Sequence, residues 1–374
     1  MRIAVDATVL ALPELRGIGS YLCEVLAAWP EPDDTFLLLA PGPIAADRLA
    51  GPAGLEVRVV PEPRGSRFHV WQWWSLPRAA RRFAPDLFWS PANVAAPLAG
   101  LPQAVTVHDT LLQELVRHDG LAERVFHHLV TPWWLRRFAT RIVTVSAFSA
   151  RRIETVLGCD PAGIRVIRNG ASLPGRPFAG RDEARAHVRA KGLVDRPYVL
   201  ALGAESSWKN TEGALRAFAL VGREAEGMDF VVAGVQERAR ERFASLAREL
   251  GLAGRLRLPG FVAPADRDAL YQGAEVFVYP SLFEGFGLPP LEAMALGTPV
   301  VASRAAAIPE VVGEAALLAD AADPEALARA ILRVLGSPDL GRRLVAAGRD
   351  NIGRFRWTEA ATAHRDLFTE CAHA

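Results

Sequence analysis

Lysine is almost missing from this chain: of 43 basic residues only Lys191 and Lys209 are lysine, the rest being arginine. A lysine near a candidate site therefore singles itself out. Cysteine is scarce too, and Cys23, Cys159 and Cys371 are scattered without a C-x-x-C spacing, which excludes a disulfide framework, a zinc ribbon and a dithiol redox motif. A reducing cytosol is the expected compartment. The formal net charge is only +1, so no global basic field marks a nucleic-acid binder, and any anion recognition must be local. Uninterrupted apolar runs stay short of the roughly 18 residues that span a bilayer. Asp6 and Glu14 interrupt the N-terminal stretch, which begins with a strand pattern and does not read as a signal peptide. Repeats and low-complexity segments are missing as well.

What is present is a long, apolar, alternating chain. Its 374 residues, half of them apolar, exceed what one core usually organises, so two α/β domains are expected. RIAVDATVL (2–10) opens a β-loop-α unit with Gly17 and Gly19 in the turn and a helix from about Ile18 to Trp29. Strand-like runs follow at 35–40, 55–60, 86–90, 104–109 and 141–146, and this alternation predicts a parallel sheet covered on both faces. After IRVIRNG (164–170), the Pro-, Gly- and Arg-rich ASLPGRPFAGRD reads as a linker. A second series of strands follows at 198–203, 228–234, 255–262, 274–281, 299–303 and 315–320. The expected division is 1–175 and 176–354, with an amphipathic helix over 355–374 whose docking place periodicity leaves open.

The chemistry concentrates in YPSLFEGFGLPPLEAMALGTPVVAS, residues 279–303. It reads as a buried strand, a tight turn over Glu284–Leu288, and a helix with Pro289 and Pro290 in its first turn and Gly297 beyond its end, the usual positions for both residue types. The turn thus lies at the C-terminal edge of a parallel strand beside a helix N-terminus. Open α/β sheets bind ligands there, and the amides and dipole suit a phosphate. Gly285 and Gly287 allow close backbone approach. Glu284 and Glu292 would repel a diphosphate, so each is better placed as an acceptor for neutral hydroxyls at either side of it.

These residues resemble a family. E-G-F-G-L-P-P-L-E followed by A-M-A-L-G-T-P-V-V-A-S is similar to the E-x7-E segment of retaining GT-B glycosyltransferases of family 4. RGIGSY (16–21), VTVHD (105–109), VTVSAFSARRI (143–153), VIRNG (166–170), ALGAESSWKN (201–210) and LPGFV (258–262) follow the family's order. The resemblance implies two Rossmann-like doubly wound domains facing a cleft that holds a nucleoside diphosphate sugar. It implies that Glu284 lies near the donor sugar's hydroxyls and reacting carbon, and that Glu292 holds the nucleotide ribose. The amides of Gly285, Phe286, Gly287 and Leu288 would meet sugar and diphosphate. Lys209 would neutralise the diphosphate, with Gly203 and Asn210 in the same string. Gly17 and Gly19 correspond to the loop that closes on the donor phosphates, and His108, followed by Asp109, to the active-site histidine. Gly260 and Val262 lie in the run that reads the nucleobase. Trp208 and Ala204 depart from the pattern, since relatives carry arginine there, which leaves Lys209 with fewer basic helpers.

The implied reaction is hexose transfer with retention, the diphosphate leaving and the acceptor hydroxyl arriving on one face, with no metal or other cofactor. Mannose from GDP-mannose is the first expectation, with UDP-glucose and dTDP-rhamnose as further donors to test. The acceptor is a glycan or a lipid-linked glycan, and no nucleic-acid partner is expected. The D-x-D string at Asp266 and Asp268 falls at a helix start, where capping is the ordinary role. His118 and Asp119 read as solvated loop. Leu22 occupies the third glycine position of G-x-G-x-x-G, which argues against an NAD-dependent oxidoreductase. A sugar-nucleotide epimerase on the same fold and a non-catalytic glycan- or nucleotide-binding subunit are the remaining rivals. Tryptophans beside arginines in 68–83 and 126–138 fit either ordinary helix packing or contact with the inner face of a membrane.

Overall fold

The computed structural model of the protein describes residues 1–13, 15, 17–61, 71–116, 120–171 and 178–373. Half of the expected linker, residues 172–177, and His118 with Asp119 lie outside them. The chain divides into two compact units, Met1–Gly170 with Phe355–Ala374, and Ala171–Arg354.

The first unit is built on seven parallel strands: β1 (Arg2–Asp6), β2 (Thr35–Ala40), β3 (Gly54–Val59), β4 (Leu87–Ser90), β5 (Gln103–Thr106), β6 (Arg141–Thr144) and β7 (Ile164–Val166). Their order is β3-β2-β1-β4-β5-β6-β7. The central strands are continuous apolar runs because helices cover both faces; Ile3, Ala4 and Val5 are wholly buried, as are Phe36 through Ala40. RIAVDATVL is a strand only as far as Asp6, because the Asp6 carboxylate accepts from the amide and hydroxyl of Thr8 and turns the chain into the short 3-10 segment Thr8–Leu10.

The last helix, Trp357–Ala372, belongs to this first unit. Trp357, Leu367 and Phe368 pack with Tyr21, Phe36 and Trp89 in one core. The close seating explains a glycine of the VIRNG string: a Cβ at Gly170 would stand 2.4 Å from Trp357.

The second unit holds six parallel strands: β8 (Tyr198–Leu202), β9 (Asp229–Ala233), β10 (Leu256–Gly260), β11 (Val276–Tyr279), β12 (Val300–Ser303) and β13 (Ala316–Ala319), in the order β10-β9-β8-β11-β12-β13. Both sheets reverse direction of growth between their first and fourth strands, β1/β4 and β8/β11. In doubly wound sheets the crevice at the carboxyl ends of such strands is the ligand position. Among the described residues no helix is long and apolar enough to cross a membrane.

Candidate functional site

In the second unit the loops after β8 and β11 meet at the switch point. The chain leaving β8 makes a 3-10 turn, Ser207–Lys209, then enters the helix Thr211–Glu224 through Asn210. Asn210 is left-handed, φ 54°, and its Oδ1 accepts from the Gly213 amide at 3.2 Å. Its Nδ2 donates to the carbonyls of Pro280, at 3.2 Å, and Ala321, at 2.7 Å. The Leu282 amide donates to the Trp208 carbonyl at 2.7 Å. Asn210 and Trp208 thus tie the two loops together, and the tie sets the side chain between them. Lys209 Nζ donates to Glu284 Oε1 at 2.7 Å and reaches the Tyr279 hydroxyl at 3.5 Å. An ammonium has three N–H donors, so one more can be directed to an anion.

The 284–288 turn follows. Gly287 has φ 104°, outside the comfortable range of any L side chain, and caps the helix Leu288–Ala295. Pro289 and Pro290 in that helix carry no N–H, so half of the first-turn donors expected at a helix start are gone. The remaining amides near that start are those of Gly285, Phe286 and Gly287 in the preceding turn and of Leu288 at the head of the helix. One turn into the helix, Glu292 Oε2 accepts from the Tyr271 hydroxyl at 3.1 Å. Burial raises the pKa of Glu292, and the Arg267 guanidinium works against that rise.

Other expected residues have local work of their own. A Cβ at Gly203 would come within 2.4 Å of Val232, so close packing between β8 and β9 requires glycine there. Gly260 ends β10 with φ 73°, and Val262 follows the exposed Phe261. The helix Pro264–Gly273 has Ala263 as its N-cap with no side-chain cap, which corrects the capping role expected for the D-x-D pair. Asp266 instead pairs with His187 at 2.7 Å and Asp268 with Arg267 at 2.9 Å, because both are already inside the helix, beyond capping position.

The first unit arranges neutral groups. His108 lies two residues beyond β5, held by its amide donating to Asn93 Oδ1 at 2.7 Å and its carbonyl accepting from Ser149 Oγ at 2.9 Å. Its Nε2 lies 2.9 Å from the Pro91 carbonyl, which only accepts, so Nε2 carries the proton and Nδ1 is the acceptor. Desolvation lowers its pKa to about 4. Asp109 bonds locally, Oδ1 accepting from the Leu111 amide at 3.1 Å. Gly17 and Gly19 open the helix Gly17–Ala27, and a Cβ at Gly19 would stand 2.6 Å from Leu15.

Sequence reasoning missed what stands behind His108. The Tyr21 ring meets the His108 ring edge-on, centroids 4.7 Å apart. His364 Nδ1 is 2.7 Å from the Ala360 carbonyl, so His364 carries its proton there and accepts on Nε2 from the Tyr21 hydroxyl at 2.5 Å. Tyr21 in turn accepts from Thr106 Oγ1 at 3.1 Å, and Thr106 accepts from Trp89 Nε1 at 3.0 Å. The proton direction of the whole chain is fixed by its two ends. The only sequence signal was tyrosine two residues past the glycine turn; its partner lies 343 residues away.

Two successive doubly wound units, each with loops gathered at its switch point, define a GT-B architecture, and comparison with known proteins agrees. Residues 15–173 match the family described as Glycosyltransferase Family 4, and residues 184–351 the family described as Glycosyl transferases group 1. The chain belongs to this glycosyltransferase family. O-antigen chain mannosyltransferase B of Escherichia coli is 36% identical over 228 residues, 60% of this chain and 59% of that protein. Glycogen synthase of Mycobacterium tuberculosis is 30% identical over 300 residues, 77% of this chain and 69% of that one. For the first of these, the match spans less than two thirds of the relative's length. Among solved structures, Anabaena HepE in complex with UDP and glucose superimposes with a TM-score of 0.77 over 99% of both chains at 18% identity, a likeness of fold.

Proposed function

We propose that this protein transfers mannose from GDP-mannose to a hydroxyl of a glycan or lipid-linked acceptor at the cytoplasmic face, retaining the configuration of the anomeric carbon and using no metal. The observation that carries the reading is the Lys209–Glu284 pair, 2.7 Å apart, on two loops joined at the β8/β11 switch point. A cation and a carboxylate fixed side by side suit a ligand with an anionic half and a hydroxyl-rich half, which is the character of a sugar nucleotide. The choice of mannose follows the GFGLPPLEA run and the similarity to the E. coli mannosyltransferase.

In this reading the remaining N–H of Lys209, the amides of 285–288 and the dipole of the helix behind them stabilise charge that grows on the leaving diphosphate. The acceptor hydroxyl enters on the same face and passes its proton to a phosphate oxygen, so no strong protein base is needed. Glu284 accepts from donor-sugar hydroxyls, and Glu292, oriented by Tyr271, accepts from the ribose. His108 serves as a neutral acceptor through Nδ1, Gly17 and Gly19 as the phosphate-facing start of the helix Gly17–Ala27, and Gly260 with Val262 as backbone that reads the base.

The test is release of nucleoside diphosphate from GDP-mannose, UDP-glucose and dTDP-rhamnose, with and without a mannosylated acceptor, followed by NMR of the product's anomeric proton. Acceptor-dependent release with an α-linked product from an α-linked donor is expected, unchanged by EDTA. An isomerised donor formed without acceptor would establish the epimerase instead, and binding without any turnover the non-catalytic subunit.

A further inference from the structure

Two helical segments of the first unit share one construction. Trp71–Ser75 and Phe126–Val130 are π-helical turns, and each runs straight into an α-helix with proline at its second position, Pro77 in Leu76–Arg82 and Pro132 in Thr131–Phe138. A proline inside a continuous helix lacks its N–H and presses on the carbonyl one turn earlier, and the wider π turn relieves that clash. Widening also has an effect on the surface. In a regular α-helix residues four apart drift around the axis, and a wider turn brings them nearer to one line.

Such a line is present. Leu121, Val125, Leu129 and Trp133 follow one another at intervals of four and are 75%, 39%, 64% and 52% exposed. The first segment abuts the second: the Trp73 ring lies 6.0 Å from Phe126 and 5.4 Å from Trp134. Trp74, 62% exposed, adds to the apolar surface, with the Arg78 guanidinium 5.0 Å above its ring. The charges on these two segments are predominantly positive. Arg78, Arg81 and Arg82 on one segment and Arg124, Arg136 and Arg137 on the other are all exposed, against Glu123 as the only carboxylate of the two segments.

We propose that Leu121, Val125, Leu129, Trp133 and Trp74 form the surface by which this protein sits on an anionic phospholipid bilayer. Indole rings settle at headgroup depth, aliphatic side chains pass below it, and guanidinium groups pair with lipid phosphates. The arginine rim selects this occupant, since an apolar stripe alone would suit any hydrophobic partner, whereas six guanidinium groups call for a dense array of anions. The inference rests on the transfer reading only in giving that reading a lipid-linked acceptor; binding to lipid is measured without turnover.

The experiment is co-sedimentation of the full chain with vesicles of phosphatidylcholine alone and of phosphatidylcholine mixed with phosphatidylglycerol. The protein is expected to pellet with the mixed vesicles, with a blue shift of tryptophan emission, and to be released by salt. Replacing Trp74, Leu129 and Trp133 together by serine should abolish pelleting at unchanged melting temperature, and Arg78→Glu with Arg137→Glu should weaken it by roughly a hundredfold or more. Should the triple variant melt early, Trp133→Ser alone provides the folded comparison. Supernatant protein with both vesicle types, or serine variants that pellet like the parent, overturns the proposal. So does tryptophan quenching by a soluble mannan oligosaccharide without vesicle binding, which would make the stripe a glycan surface. Donor turnover is assayed in parallel, so a protein that pellets but never releases nucleoside diphosphate counts against the transfer reading alone.

Discussion

The two switch points handle polarity in opposite ways. At β8/β11 the residues are charged and paired: Lys209 with Glu284, and Glu292 beside Arg267 and Tyr271. Beyond β5 in the first unit the Asp109 carboxylate is turned onto the Leu111 amide, and the buried rings are neutral, His108 and His364 both held near pKa 4 by burial and joined through Tyr21. Duplicated architecture therefore does not mean duplicated chemistry. The second unit gathers charged pairs at its switch point, and the first gathers buried neutral rings.

The sharpest way to break this contrast is Lys209→Ala, expected to lower kcat of donor turnover by roughly a hundredfold or more with little change in melting temperature. Glu284→Gln keeps the shape and an acceptor oxygen while removing the charge; a smaller loss than for Glu284→Ala, read as kcat/KM, supports hydroxyl recognition over base catalysis. Next comes His108→Ala, which removes one neutral hydrogen bond and is expected to lower kcat/KM about fivefold to tenfold. Because His108 is neutral above about pH 4, the rate profile should show no ionisation from it between pH 5 and 8, and a limb near 6.5 that vanishes in His108→Gln would contradict the neutral assignment.

Stability offers the smaller effects. His364 has a native pKa of about 4, below the unfolded value near 6.5, so the unfolded chain takes up a proton that the native state refuses. Stability is full above about pH 6.5 and falls as pH drops toward 4, by up to roughly 3 kcal/mol. Urea unfolding at pH 7 and pH 5 measures this together with the like contribution of His108, and His364→Gln should remove about half of the difference. Gly287→Ala forces a side chain into φ 104° and is expected to cost about 1–3 kcal/mol, while Tyr21→Phe leaves the His364 lone pair without its donor at about 1–2 kcal/mol.

The sheets were legible because parallel strands covered on both faces must be apolar throughout, as TFLLLA and the strand residues VFVY are. The candidate turn was legible because glycine and proline mark backbone shape directly. Features made by distant side chains were not. The Asn210 bridges to Pro280 and Ala321, the Tyr21–His364 bond and the meeting of Trp73 with Trp134 depend on which elements become neighbours, and no local pattern encodes that. The D-x-D pair failed for a smaller reason: the helix begins at Pro264 with Ala263 as its N-cap, three residues before Asp266, so neither aspartate caps its start.

The return of the last helix also orders events during synthesis. Asp34, 1% exposed, accepts from Trp29 Nε1 at 3.0 Å and from Arg365 Nε at 3.1 Å, so a carboxylate made early waits for an arginine made more than three hundred residues later. On the ribosome the second unit, contiguous in the chain, can close on itself as soon as it emerges, while the first stands with Trp89 and Phe36 uncovered until residues 357–372 arrive. Within this chain, the half made first is the half that finishes folding last.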